Sequence, residues 1–127
     1  MTDTYTIFTN NPDVARVFSV VSRYRESAVL PLFEAVRDAV HLGATLVTHP
    51  LTGSIKPNES PYKSVVLQVP SSAKAVDFKS LQLIEDAIAT VRKLPEKNRQ
   101  HTERILADFR VIDLDFMHSA NKSLQFH

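Results

Sequence analysis

Apolar residues change their spacing several times along this chain, and each change predicts an element. Tyr5, Ile7 and Phe8 form a short β-prone run that stops at Thr9. Asn10-Asn11-Pro12-Asp13 follows, and an Asx residue before a proline marks a helix start. Asn11 can cap free backbone N–H groups, while Pro12 at the first helical position has no N–H to satisfy. Val14, Val17, Phe18 and Val21 keep helical spacing, predicting a helix of about two turns, then a strand reaching Tyr24.

The next periodic segment is longer. Val29, Leu32, Phe33, Val36 and Val40 share one helical face, with Glu34, Arg37, Asp38 and His41 on others, and Gly43 stands where a left-handed turn would end the helix. Thr45–Thr48 reads as a short strand and Val65–Val69 as an apolar strand closed by Pro70. From Asp77 the helical period returns in Leu81, Ile84, Ile88 and Val91, with Asp77 or Ser80 as cap and Pro95 as stop. Ile105, Phe109, Ile112 and Phe116 predict a last long helix, although Ile112, Leu114 and Phe116 would also suit a strand over 110–116.

The order β-α-β-α-β-loop-β-α-α predicts an α/β fold. The expectation is a single small domain over residues 1–127, with an open, mostly parallel sheet of about four strands flanked by helices and a helical C-terminal third.

Composition narrows the chemistry. The 127 residues contain no cysteine, which removes disulfide frameworks, thiolate metal sites and thiol nucleophiles. Fifteen basic and fourteen acidic residues are evenly spread, without the one-sided basic surplus that nucleic-acid binding requires. Arg92, Lys93, Lys97, Arg99 and Arg104 cluster locally, but Glu96 and Glu103 interrupt them, so they read as a solvated connection between helices. No apolar run approaches the ~20 residues of a membrane span, and Met1-Thr2-Asp3-Thr4-Tyr5 lacks the basic head of a signal peptide. The expected location is the cytoplasm, with no membrane association. The five histidines never occur at i, i+4 spacing, and Asp113 and Asp115 on one helix point apart. No metal, cofactor or Ser/His/Asp triad is therefore expected.

Between the two central strands lies a proline-stiffened stretch, Leu46 to Val65, holding Pro50, Pro57, Pro61 and Gly53 among side chains able to bind or react. Its loop of roughly sixteen residues exceeds an ordinary connection, and such loops are usually functional or disordered. Proline stiffening favours the former. Ligands of open α/β sheets sit beyond the carboxyl ends of strands, which here are Thr9-Asn10-Asn11-Pro12 and the loop from Thr48-His49. Neighbouring strands would bring these segments face to face, with the helix start at Pro12 aimed into the gap. Lys56 and Lys63 then make an anionic ligand, a carboxylate or phosphate, the natural guest. The expected ligand-binding residues are Asn10, Asn11, His49, Ser54, Lys56, Asn58 and Lys63. Each also has a plain alternative: His49 as a ring closing its own loop, Asn58 as a turn residue, Lys63 as an edge charge. Tyr62 reads as a loop anchor. His49 is also the candidate general base should the protein be a hydrolase or transferase.

The segment Leu46-Val47-Thr48-His49-Pro50-Leu51-Thr52-Gly53-Ser54-Ile55-Lys56-Pro57-Asn58-Glu59-Ser60-Pro61-Tyr62-Lys63-Ser64-Val65 resembles the signature of the GrdX family. These are small proteins encoded beside the glycine, sarcosine and betaine reductase genes of anaerobic bacteria. Thr9-Asn10-Asn11-Pro12, Val36-Arg37-Asp38 with His41, and Ile112-Asp113-Leu114-Asp115 extend the likeness in order along the chain. The resemblance implies a cytoplasmic accessory of amino-acid reductase metabolism, and supplies no catalytic residues. Three readings follow: a binding module for a small anionic ligand, an interaction module docking on a reductase subunit, and a His49-dependent enzyme. A homodimer is the expected assembly.

Overall fold

The computed structural model describes residues 4–51, 60–94 and 101–125. Eight elements follow one another: β1 (Thr4–Thr9), α1 (Pro12–Val17), β2 (Ser22–Tyr24), α2 (Val29–His41), β3 (Thr45–Leu46), β4 (Ser64–Val69), α3 (Phe78–Lys93) and α4 (Glu103–Leu124). The segment over 110–116 is helix, inside α4.

The strands form one open sheet in the order β2-β1-β4-β3. It is mixed rather than mostly parallel: β1 pairs parallel with β2, while β4 runs antiparallel to both β1 and β3. Connection chemistry explains the difference. Helix α1 carries the chain back from β1 to β2, as a parallel pair requires. Between β3 and β4 the described residues contain no helix, so the chain reverses and its strands pair antiparallel.

Alternation along the central strands creates two apolar faces. Phe8, Val65 and Leu67 point to one side, where Leu32, Phe33, Val36 and Val40 of α2 and Ile84 and Ile88 of α3 bury them. Ile7 and Val66 point to the other and meet Val14 of α1, Phe18 and Met117 of α4. The result is three layers, with α2 and α3 on one face and α1 and α4 on the other. Burial of these side chains, worth about 1.5–3 kcal/mol each, is the main force holding the layers.

Local capping agrees with the sequence. Asn11 Oδ1 accepts from the Asp13 N–H at 3.0 Å to start α1, with Pro12 beside it. Asp77 caps α3 by accepting from the Ser80 N–H at 3.1 Å, and Ser80 Oγ in turn accepts from the Leu46 N–H, tying α3 to β3. Gly43 takes φ +106° after α2, a conformation open to glycine and costly for other residues. A β-carbon there would stand 2.9 Å from the Lys74 carbonyl oxygen. Gly43→Ala should therefore lower stability by about 1–3 kcal/mol in urea unfolding; a loss under ~0.5 kcal/mol would mean that the turn relaxes freely.

Helix α4 turns a different side inward than its isoleucines suggest. Ile105 and Ile112 are exposed, and the packed stripe includes Leu114, Met117, Ala120 and Leu124. One consequence is that Asp113 lies on the inward side. The connection holding Lys97 and Arg99 lies outside the described residues; Arg92 pairs with Glu34 at 3.7 Å across α2 and α3.

Candidate functional site

The carboxyl end of β1 and the start of β4 are opposite each other, Thr9 against Ser64, and a buried polar network grows from that pair. Thr9 Oγ1 and Ser64 Oγ are 2.7 Å apart. Ser64 Oγ donates to Asp113 Oδ2 at 2.7 Å, so the carboxylate is the terminal acceptor and sets the direction of the hydroxyl chain. Thr9 Oγ1 also accepts the Asn11 N–H at 2.9 Å.

Asn10 and Asn11 are both buried, and both are engaged. The Asn10 amide donates to the Ser27 and Pro61 carbonyls at 2.9 and 2.8 Å and accepts the Lys63 N–H at 2.8 Å. It thereby stitches the end of β1 to the approach to α2 and to the lead-in of β4. Asn11 caps α1 with its oxygen, while its Nδ2 donates to the Arg110 carbonyl at 3.0 Å and to Asp113 Oδ2 at 3.1 Å. The six-residue α1 is thus closed by its own cap with Asp13 in its first turn, and its start is tied to α4.

Lys63 is the unusual member. The residue is 3% exposed, and its backbone is held by Asn10 and Thr9. Its ammonium makes no hydrogen bond or ion pair among the described residues. Burial pushes its pKa below the ordinary 10.5, while the Asp113 charge pulls it back up. Asp113 is perturbed in the matching sense: burial raises its pKa above the usual carboxylate value, against the pull of Ser64, Asn11 and Lys63. Each group resists its charge because the surroundings are dry.

Around this centre the lead-in to β4 is braced. Arg110 Nη1 donates to the Tyr62 hydroxyl at 3.0 Å, with the guanidinium over the Tyr62 ring at 5.5 Å, so Tyr62 is a loop anchor. Glu103 and then Tyr62 raise the Arg110 pKa further, so the guanidinium stays charged.

His49 is exposed, and its Nδ1 accepts the Leu51 N–H at 3.1 Å, closing its own turn. Strands β1 and β3 are not neighbours, since β4 lies between them; the Thr48 side of the sheet reaches Val66 instead, where Thr48 Oγ1 accepts the Val66 N–H at 3.0 Å. Of the expected site residues, Asn10, Asn11 and Lys63 therefore come together and His49 sits apart on the loop. Ser54, Lys56 and Asn58 lie outside the described residues. Thr9 belongs to the expected segment, whereas Asp113 and Ser64 are additions that the structure makes to the site. A signal for Asp113 existed: it occupies an inward stripe with Met117 and Ala120, and an acidic residue in such a stripe needs a partner. Among the described residues no three His, Asp or Glu side chains gather as a metal site, and no helix is long and apolar enough to cross a membrane.

Fold and site define a small three-layer α/β protein, with a mixed open sheet and a dry polar cluster at the carboxyl edge of its first strand. The chain belongs to the GrdX-like protein family, whose model matches residues 6–122. No curated protein and no solved structure matches it.

Proposed function

We propose that this protein is a binding module for a small anionic ligand, a carboxylate or a phosphate, with Lys63 as the cation that receives it. The observation that carries the reading is the Lys63 ammonium, buried yet without a hydrogen-bond partner among the described residues. An unpartnered buried charge costs several kcal/mol, and an arriving anion would relieve that cost. Asn10 serves the site by fixing the Lys63 backbone, and Asp113 tempers the charge while the site is free. Ser54, Lys56 and Asn58, on the same loop in sequence, are the other ligand candidates. In this reading the module serves as a cytoplasmic accessory to amino-acid reductase metabolism, a role that membership of the GrdX-like family supports.

A thermal-shift panel of acetate, glycine, inorganic phosphate and acetyl phosphate tests the reading. A ligand at a hundred times its dissociation constant should add about 2.7 kcal/mol to stability. An unchanged transition with every anion would count decisively against a small-anion site.

A further inference from the structure

We propose that the groove between β2 and α2 docks an extended, acidic polypeptide segment, which adds to β2 as a further strand of the sheet. Strand β2 is an edge strand, and among the described residues only its β1 side is paired. Ile7 N–H donates to the Val21 carbonyl at 2.8 Å and Arg25 N–H donates to the Thr9 carbonyl at 2.9 Å. Peptide groups alternate sides along a strand, so those of Ser22 and Tyr24 face away from β1. Among the described residues nothing bonds to them. An open edge of this kind is a template for another strand.

Beside that edge runs a groove of about 330 Å³, walled by Arg23, Tyr24 and Arg25 on one side and by Leu32, Ala39 and Leu42 of α2 on the other. Leu42 is 63% exposed and Tyr24 46%, so apolar surface is left for a guest to cover. Arg23 lies over the Phe8 ring at 5.2 Å, and neither Arg23 nor Arg25 makes an ion pair among the described residues. Asp38 is the acidic side chain lining the groove, leaving a cationic balance of two to one. Free main-chain donors and acceptors call for a polypeptide, and the guanidiniums call for carboxylates on it. A second copy of β2 would bring two more arginines against these two, so charge disfavours self-pairing.

The probe is a fluorescein-labelled, acetylated eight-residue peptide alternating valine and glutamate, followed by fluorescence anisotropy with the full chain. Saturable binding is expected. Lysine in place of glutamate should abolish it, and Arg23→Glu combined with Arg25→Glu should weaken it at least tenfold. Tyr24→Pro removes an outward N–H without touching the β1 pairing, as edge strands tolerate, and should also cost at least tenfold. Peptides N-methylated at every second position, in either register, leave the protein unaltered and should fail to bind. The proposal is overturned by absent binding to the parent protein, by equal binding of both N-methylated peptides, or by displacement with octanoate at equal concentration.

Discussion

Replacing Lys63 by methionine should raise the stability of the free protein by about 1–2 kcal/mol while removing its response to anions. Methionine keeps the length and volume of the lysine stem, so packing is retained, and it brings no charge into a dry position. The gain has a defined pH dependence. In the folded protein the Lys63 pKa lies below its ordinary 10.5, so between those two values the unfolded chain binds more protons than the folded one. Stability of the parent therefore rises with pH through that window, as the folded state sheds a proton that it holds at a cost. The advantage of Lys63→Met is fully present at neutral pH and shrinks as pH climbs toward 10.5. Urea unfolding of both proteins at several pH values reads this directly. A loss of several kcal/mol in the variant would mean that Lys63 is a structural ion-pair partner of Asp113.

Asn10→Ala should cost about 3 kcal/mol, for the opposite reason. Asn10 does not lack partners; it satisfies the Lys63 N–H and the Ser27 and Pro61 carbonyls at once. Alanine leaves a buried donor and two acceptors unpaired, each worth roughly 1 kcal/mol or more. The stability loss should appear in chemical unfolding, with amide exchange quickening at Lys63 and in the first residues of β4. A loss below ~1 kcal/mol would show that water or the chain replaces the amide easily.

These two residues also show how far the sequence alone could reach. The sequence suggests both at a ligand site: Asn10 because it follows the first strand at a sheet edge, and Lys63 as a cation of the loop facing that edge. That reasoning located the edge, because caps, strands and helix periods are local signals: Pro12 after Asn11, Asp77 before α3, Gly43 after α2. It could not separate the residue that holds the edge together from the residue left unpartnered, since that depends on Ser27 and Pro61, 17 and 51 positions away. Strand direction was likewise hidden. A mostly parallel sheet follows from alternating strands and helices, and the loop before β4 breaks the alternation without announcing where β4 will insert.

The rotation of α4 about its axis is not set by its sequence pattern. Ile105, Phe109, Ile112 and Phe116 make an apolar row as regular as the inward one, yet Ile105 and Ile112 are exposed and Phe116 packs against the Met117 cluster, so periodicity could not choose between the rows. The choice is made by α1 and the sheet, which accept Met117 and bring Asp113 to Ser64 and Asn11. Asp113 and Asp115 do point apart, as expected of neighbours two apart on a helix. The informative fact was that one of them had to point inward.

If Lys63 waits for an anion, as proposed, its own titration must respond to one. Nuclear magnetic resonance can follow the Lys63 side-chain ε signals through a pH series, first in chloride buffer and then with acetate, glycine or inorganic phosphate added in turn. A depressed midpoint in the free protein that moves back up toward 10.5 with at least one of these anions is the predicted result, because a bound negative charge favours the ammonium. A midpoint that stays in place with all of them would contradict the account.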